Sequence, residues 1–353
     1  MQITHVEVIP VELALRNAFR TTSGGLIERI EAVFVRIETR QGEVAWGCAI
    51  VEPAGSAEVR TTVMRACQAC AERARDLNPL HTEYALAEIT PLTEGAMTVR
   101  CAFDMAFHDL LGLAAGMPLH RLLGGYRYRI QTSITLDVAP VDETVEMAQQ
   151  YVSRGFRMLK IKGGRDPEDD VRRVQAIHDA LPGVTLRLDA EGGYDVRQAL
   201  DVARALAGRL EMLEQPTPAG DLAALREVTQ HSPLPILADE SVNGPEAALE
   251  IAGQRAAHGL SVKLSTCGGI HCGRQVDAIA RAARMATMIG CVHQPALLSA
   301  AGLGLALSSP NVHYADLDGH FDLVDDPTQP GFRCEEGWLI ATDVPGLGCT
   351  VAL

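Results

Sequence analysis

A chain of 353 residues is longer than one sandwich domain needs and suits a barrel carrying a smaller domain. With 47% hydrophobic residues it can bury a large core. No apolar run reaches the length of a membrane span, and the start, MQITHVEVIP, lacks a basic segment followed by an apolar one. The net charge of −14 makes nucleic acid and anionic membranes poor partners, so the expectation is a cytoplasmic protein acting on a small molecule.

In chain order, residues 1–55 read as strands: ITHVEVIPVEL, then EAVFVRIET, a Gln41-Gly42 turn and EVAWGCAIV. Residues 56–125 read as helices, among them TVMRACQACAERARDL and VRCAFDMAFHDLLGLAAG, ending at Gly124-Gly125. Nine scattered cysteines argue for reduced thiols, and Cys67 and Cys70 form a C-x-x-C on a helical pattern with no second pair nearby.

From Ile130 short apolar runs alternate with amphipathic helices. The runs are IQTSITLD, RMLKIK, TLRLDAE, LEMLEQP, LPILADE, GLSVKLS, MATMIGCV and VHYADLD. Between them lie stretches such as PEDDVRRVQAIHDAL, with apolar residues at helical spacing. Eight strand–helix units predict an α/β fold, a parallel (β/α)-barrel, with a doubly wound sheet as the competitor.

The strand ends favour the barrel. Asp189, Glu214 and Asp239 follow one another at intervals of 25 residues, one strand–helix unit each. In a barrel they converge at the C-terminal mouth, where such folds build their sites. Three carboxylates at one point need protons or a hard cation, and an all-oxygen set favours Mg²⁺ over Zn²⁺. The alternative, that each acid caps the helix after it, explains one such residue better than three in phase.

Lys162 and Lys263 lie on the strands immediately before and after this trio, facing one another across the mouth. Strand alternation turns Lys160 inward with Lys162, and its like charge is expected to lower the Lys162 pKa. Metal binding acidifies the α-proton of a carboxylate substrate by stabilising the enediolate. One lysine can then remove the proton and the other return one from the opposite face. That is a racemase or epimerase arrangement, and the same parts also support β-elimination or cycloisomerisation.

These residues resemble the enolase superfamily and, within it, the muconate-lactonising-enzyme subgroup. The resemblance rests on FDMAFHDLLGLAAGMPLHRLLGG, the K-x-K of LKIKGG, RLDAEGGY, LEQP, LADES and SVKLSTCGG. It implies that Lys162 and Lys263 are the acid/base pair and that Asp189, Glu214 and Asp239 hold Mg²⁺. Glu240 is then expected to support the metal site from outside. The resemblance further implies an α+β capping domain, residues 1–125 with the tail from about 325 to 353, over a barrel of residues 126–324.

YADLDGHFDLVDDP is similar to the D-x-D segment of dipeptide epimerases. It implies that Asp316 and Asp318 hold the α-ammonium group of a dipeptide, with Thr135 a further substrate contact. The sequence departs from the subgroup pattern at Glu191, usually Asn, and at Cys291-Val292-His293-Gln294-Pro295, where Gln replaces an acid. It also has Gly47-Cys48-Ala49 in place of a G-E-A, and Arg20-Thr21-Thr22-Ser23-Gly24 without the arginine of Ala-Glu epimerases. The leading expectation is an L,L-dipeptide epimerase. Alternatives are N-acylamino-acid racemase, o-succinylbenzoate synthase, muconate cycloisomerase or a non-catalytic ligand-binding relative, and a homo-oligomer is possible. Glu191, Asp137 and the net charge favour a cationic substrate side chain, unless nearby arginines or helix caps absorb the two acids.

Overall fold

Alternating apolar residues build an N-terminal antiparallel sheet from β1 (Ile3–Arg20), β2 (Leu26–Thr39) and β3 (Val44–Val51). Gly42, at φ +94°, makes the predicted turn between β2 and β3. Across β2 and β3 the sheet is covered on both faces, whereas much of β1 is exposed. Val33, Val35 and Ile37 pack on the helices Ala57–Ala74, Thr82–Ile89 and Met97–Ala115, whereas Ile30, Ala32 and Phe34 join the core of the barrel. Gly47 lets helix Met97–Ala115 lie directly on β3: a Cβ there would sit 1.8 Å from the Ala102 carbonyl oxygen. The structure, a computed structural model, describes residues 1–20, 26–52 and 56–353. The Thr21–Gly24 stretch singled out above therefore lies outside the described residues.

The predicted first barrel strand divides. β4 (Arg129–Gln131) leaves the barrel, and only β5 (Ile134–Leu136) enters it. The division falls at Thr132 and Ser133, whose hydroxyls bond the far end of the barrel: Thr132 Oγ1 accepts from the Leu317 N–H at 2.8 Å, and Ser133 donates to Asp316 at 2.6 Å. The other barrel strands are β6 (Met158–Lys162), β7 (Thr185–Asp189), β8 (Met212–Glu214), β9 (Ile236–Ala238), β10 (Gly259–Lys263), β11 (Ala286–Gly290) and β12 (Val312–Ala315). They pair in parallel in strict chain order, and a bridge between Thr132 and Ala315 joins the ends. A doubly wound sheet would reverse its strand order, so the barrel alternative holds.

Inside the barrel, Arg187 crosses the floor, donating to the Ala315 carbonyl at 3.0 Å and pairing with Glu211 at 2.7 Å. Met212, Leu237 and Met288 pack beside it with Tyr314. Outside, Asp166, Asp195 and Asp221 cap the helices Pro167–Ala180, Val196–Ala205 and Leu222–His231. The strand-end acids Asp189, Glu214 and Asp239 are thus not spent on these caps.

After β12 the chain returns to the N-terminal layer. Leu323 bridges Leu15, and the Val324 N–H donates to the Ala14 carbonyl at 3.0 Å. β13 (Thr328–Gln329) pairs with β16 (Thr350–Val351), while β14 (Phe332–Glu335) and β15 (Trp338–Ala341) form a sheet with β4. Among the described residues no helix is long and apolar enough to cross a membrane. Cys67 and Cys70 are buried in their helix, where burial pushes the Cys70 thiol up to about 12.

Asp109 ties the tail to helix Met97–Ala115 by accepting the Leu347 N–H at 2.7 Å. Burial raises its carboxyl to about 7, although the Leu347 and Trp46 backbone N–H groups favour ionisation. A raised folded-state pKa gives stability that is complete below the unfolded value and is lost as pH rises towards 7. We expect wild-type protein to lose stability relative to Asp109→Asn between pH 4 and pH 8, read as diverging urea midpoints. Parallel midpoints would contradict this reading of Asp109.

Candidate active site

Strand register sets the predicted ligands in a row. Lys162 pairs with Asp189 across β6–β7, and Asp189 pairs with Glu214 across β7–β8. Asp239 follows the last residue of β9. The side chains of Asp189, Glu214 and Asp239 are buried, and one oxygen from each lies within 4.8 Å of the others. Burial raises Glu214 to about 8, Lys160 opposes this, and Asp189 and Asp239 add to it. Neither Glu214 oxygen accepts a hydrogen bond, although Oε2 lies 2.9 Å from the Lys160 ammonium. Buried carboxylate oxygens without hydrogen bonds, in an all-oxygen set, suit a hard divalent cation.

Lys162 and Lys263 stand on opposite sides of the barrel, separated by β7, β8 and β9. Lys162 Nζ lies 2.9 Å from Asp189 Oδ2 and also contacts Glu191. Lys263 Nζ lies 2.6 Å from Asp239 Oδ2. Lys160 is almost fully buried and meets three carboxylates, Asp189 and Glu214 at 2.9 Å and Asp316 at 2.7 Å. Lys160 does act downward on Lys162, as expected, but it does not set the outcome. Burial and the Lys160 charge both act downward on Lys162, but Asp189 and Glu191 outweigh them and hold it well above an ordinary lysine. Lys160 serves here as the counter-ion of the buried carboxylates.

Asp316 and Asp318 differ. Burial alone would raise Asp316, yet Lys160 and the Ser133 hydroxyl hold it below the usual carboxylate range. Burial and the Asp316 charge raise Asp318 to about 7, although it accepts the Thr135 N–H at 2.6 Å. Thr135 thus meets Asp318 through its backbone N–H and is among the residues that line the cavity. Glu240 is exposed at the rim and makes no hydrogen bond to the three acids. Loss of water around its carboxylate, then Asp239 and Asp189, raise it to about 7. The buried support is Gln215 instead, whose side-chain carbonyl accepts the Asp239 N–H at 2.9 Å. Gln294, which replaces an acid, turns to Ser299 at 3.2 Å. Its neighbour His293 lines the cavity, where burial and Lys162 lower it to about 4.

Other contributors were not visible in sequence. Arg173 donates to the Lys162 carbonyl at 2.9 Å and pairs with Asp170, which in turn holds Tyr194 and the Gly164 N–H. Asp170 and Arg173 sit in PEDDVRRV, part of a predicted amphipathic helix, where only their i, i+3 spacing hints at a pair. Glu52, just past the end of β3, lines the cavity from the N-terminal layer. Its place there depends on how that layer docks. We expect Asp170→Asn to cost about 3 kcal/mol, because it leaves the buried Arg173 charge only the partly exposed Asp169, 3.3 Å away, as a carboxylate partner. Asp170→Leu with Arg173→Met should recover part of that loss in urea unfolding; equal losses would refute the pairing.

The cavity, about 190 Å³, is smaller than the ~300–1,000 Å³ typical of drug-sized ligand sites.

Two family models match the chain: the mandelate racemase/muconate lactonizing enzyme N-terminal domain over residues 3–124, and the enolase C-terminal domain-like family over residues 143–352. The chain is 34% identical to an L-Lys-D/L-Arg epimerase of Methylococcus capsulatus, covering 99% of both chains. It is 32% identical to a hydrophobic dipeptide epimerase of Enterococcus faecalis, again over 99% of both. The crystal structure of an Enterococcus faecalis dipeptide epimerase with Mg and L-Leu-L-Tyr superposes with a TM-score of 0.94 at 32% identity, covering 99% of this chain and 100% of that one. A Methylococcus capsulatus dipeptide epimerase with Mg and L-Arg-D-Lys gives 0.91 at 32% identity, over all of both chains. The barrel, its row of carboxylates and these matches together make the chain a member of the mandelate racemase/muconate lactonizing enzyme family of the enolase superfamily, and an isomerase.

Proposed function

We propose that the protein is a Mg²⁺-dependent dipeptide epimerase that inverts the α-carbon of the C-terminal residue of an L,L-dipeptide by 1,1-proton transfer. The observation that carries this reading is the placement of Lys162 and Lys263 on opposite barrel strands about three buried carboxylates, with Asp316 and Asp318 at the closing strand. Full-length relatives named as dipeptide epimerases support it.

Asp189, Glu214 and Asp239 would hold the cation, which when bound supplies the positive charge that makes the α-proton of a substrate carboxylate acidic. Lys162 on one face takes or returns a proton at Cα, and Lys263 does the same on the other. Asp318 meets the α-ammonium group of the dipeptide, with Asp316 behind it. Because Asp316 is already paired with Lys160, Asp318 carries more of this contact than the D-x-D pattern suggests. Arg173 steadies the Lys162 backbone, and Gln215 fixes the loop that bears Asp239.

In D₂O, Lys162→Ala should abolish α-proton exchange from one epimer of a substrate dipeptide, and Lys263→Ala from the other. Equal, modest losses for both epimers in both variants would reject the two-base assignment. A second test concerns the ammonium group. Asp318→Asn should raise KM for free dipeptides by tenfold or more, consistent with the roughly 2–5 kcal/mol of a buried charge pair, and alter N-acylated analogues little. If wild-type protein turns over N-acylated amino acids better than dipeptides, the N-acylamino-acid racemase reading replaces this one.

A further inference from the structure

This inference rests on the two-lysine reading of the reaction and concerns what holds Lys162 in place. Helix Pro167–Ala180 brings Asp170 and Arg173 to the backbone that follows β6, and the loop after β7 brings Tyr194 to Asp170. All three side chains are buried. Asp170 Oδ1 pairs with the Arg173 guanidinium, whose other terminal nitrogen donates to the Lys162 carbonyl at 2.9 Å. Asp170 Oδ2 accepts the Gly164 N–H at 2.8 Å and the Tyr194 hydroxyl. The chain is therefore gripped at Lys162 and again at Gly164, by the helix on one side and by the loop that follows Asp189 on the other.

The grip leaves little room to move. A Cβ on Gly163 would come within 2.8 Å of Asp170 Oδ2, and one on Gly193 within 2.0 Å of the Gly164 carbonyl oxygen. The Gly163 N–H donates to the Asp189 carbonyl at 2.8 Å, and the Tyr194 N–H to the Pro216 carbonyl at 3.0 Å. Residues 162–164 and 189–194 are thus locked into one piece, with the Asp170 carboxylate as the joint. Apolar residues of similar volume would hold a helix on a strand at less cost than a buried ion pair. What the arginine fork adds is direction, because its planar geometry fixes the angles of the bonds it makes as well as their lengths. Lys263 is held differently. Its carbonyl accepts the Thr266 hydroxyl, from the next turn of its own chain, at 3.1 Å. β8 and β9 separate its strand from β7 and the Asp170 network.

We propose that Asp170, acting through Arg173 and Tyr194, is a positioning residue for Lys162 alone. It fixes where that lysine stands relative to Asp189, and so governs proton transfer on one face of the substrate while leaving the Lys263 face untouched. A displacement of about 1 Å at a reacting group costs on the order of a hundredfold in rate.

The test is α-deuterium uptake in D₂O at saturating Mg²⁺, measured for each epimer of a dipeptide separately and read in the recovered starting epimer. Inversion needs both lysines and falls for any cause, so it is not the readout. The Lys162 epimer is the one whose exchange Lys162→Ala abolishes. Tyr194→Phe deletes one hydroxyl; it should lower kcat for exchange of that epimer by about tenfold or more, and change KM and exchange of the other epimer by less than about twofold. Asp170→Leu with Arg173→Met, the pair expected to recover stability, should show the same one-sided loss, which separates position from stability. Equal losses for the two epimers, a change in KM alone, or undiminished exchange in both variants would overturn the assignment of Asp170 and leave the epimerase reading standing. Absence of exchange by wild type, or failure of Lys162→Ala and Lys263→Ala to split the epimers, would overturn the two-base reading itself, and this inference with it.

Discussion

The mouth of this barrel is governed by one constraint: it buries more negative charge than a protein interior tolerates without cations. Lys160 is the structure's own partial answer. Its ammonium touches Asp189, Glu214 and Asp316 at 2.7–2.9 Å, tying β6, β7, β8 and the end of β12 into one electrostatic unit. A single ammonium cannot neutralise that many carboxylates, and the raised Glu214 records the remainder. The same deficit makes the three acids a fitting place for a divalent cation and sets the two flanking lysines against them.

The backbone is bent to serve this arrangement. Glu191 and Gln215 take left-handed conformations, φ +45° and +33°, immediately after the strands that carry Asp189 and Glu214. Non-glycine residues adopt that region at a cost, and here hydrogen bonds compensate. The Glu191 N–H donates to Asp189 at 3.1 Å, and the Gln215 amide spans the Thr217 carbonyl and the Asp239 N–H. The next turn of chain behind Lys162 is equally constrained. A Cβ on Gly164 would come within 2.0 Å of the Ala190 carbonyl oxygen, so the β6 and β7 loops can approach only through glycine.

Covering the N-terminal sheet on both faces across β2 and β3 has a functional consequence. Its inner face shares the barrel's hydrophobic core, so the end of β3 is held over the cavity by packing as well as by chain connection. The barrel supplies the groups proposed to act at the α-carbon, and the N-terminal layer adds Glu52 to the cavity lining.

Much of this was legible in the sequence, because the relevant signals are local and periodic. Eight apolar runs alternating with helices predict parallel strand–helix units, and a 25-residue spacing that puts Asp189, Glu214 and Asp239 on successive strands favours a barrel. Alternation in MLKIK turns Lys160 and Lys162 inward together. What sequence could not supply is whatever depends on the net effect of several charges at a point, or on two distant segments meeting. It assigned Lys160 the task of lowering the Lys162 pKa, yet the carboxylates around both lysines reverse the outcome. It gave Asp170 and Arg173 no role, and only the docking of their helix buries them behind Lys162. It assigned Glu52 no role, since the predicted strand EVAWGCAIV ends one residue before it. Only the docking of the N-terminal sheet on the barrel makes it a wall of the cavity, because periodicity encodes which face a residue takes within its own element, and packing alone decides what that face meets.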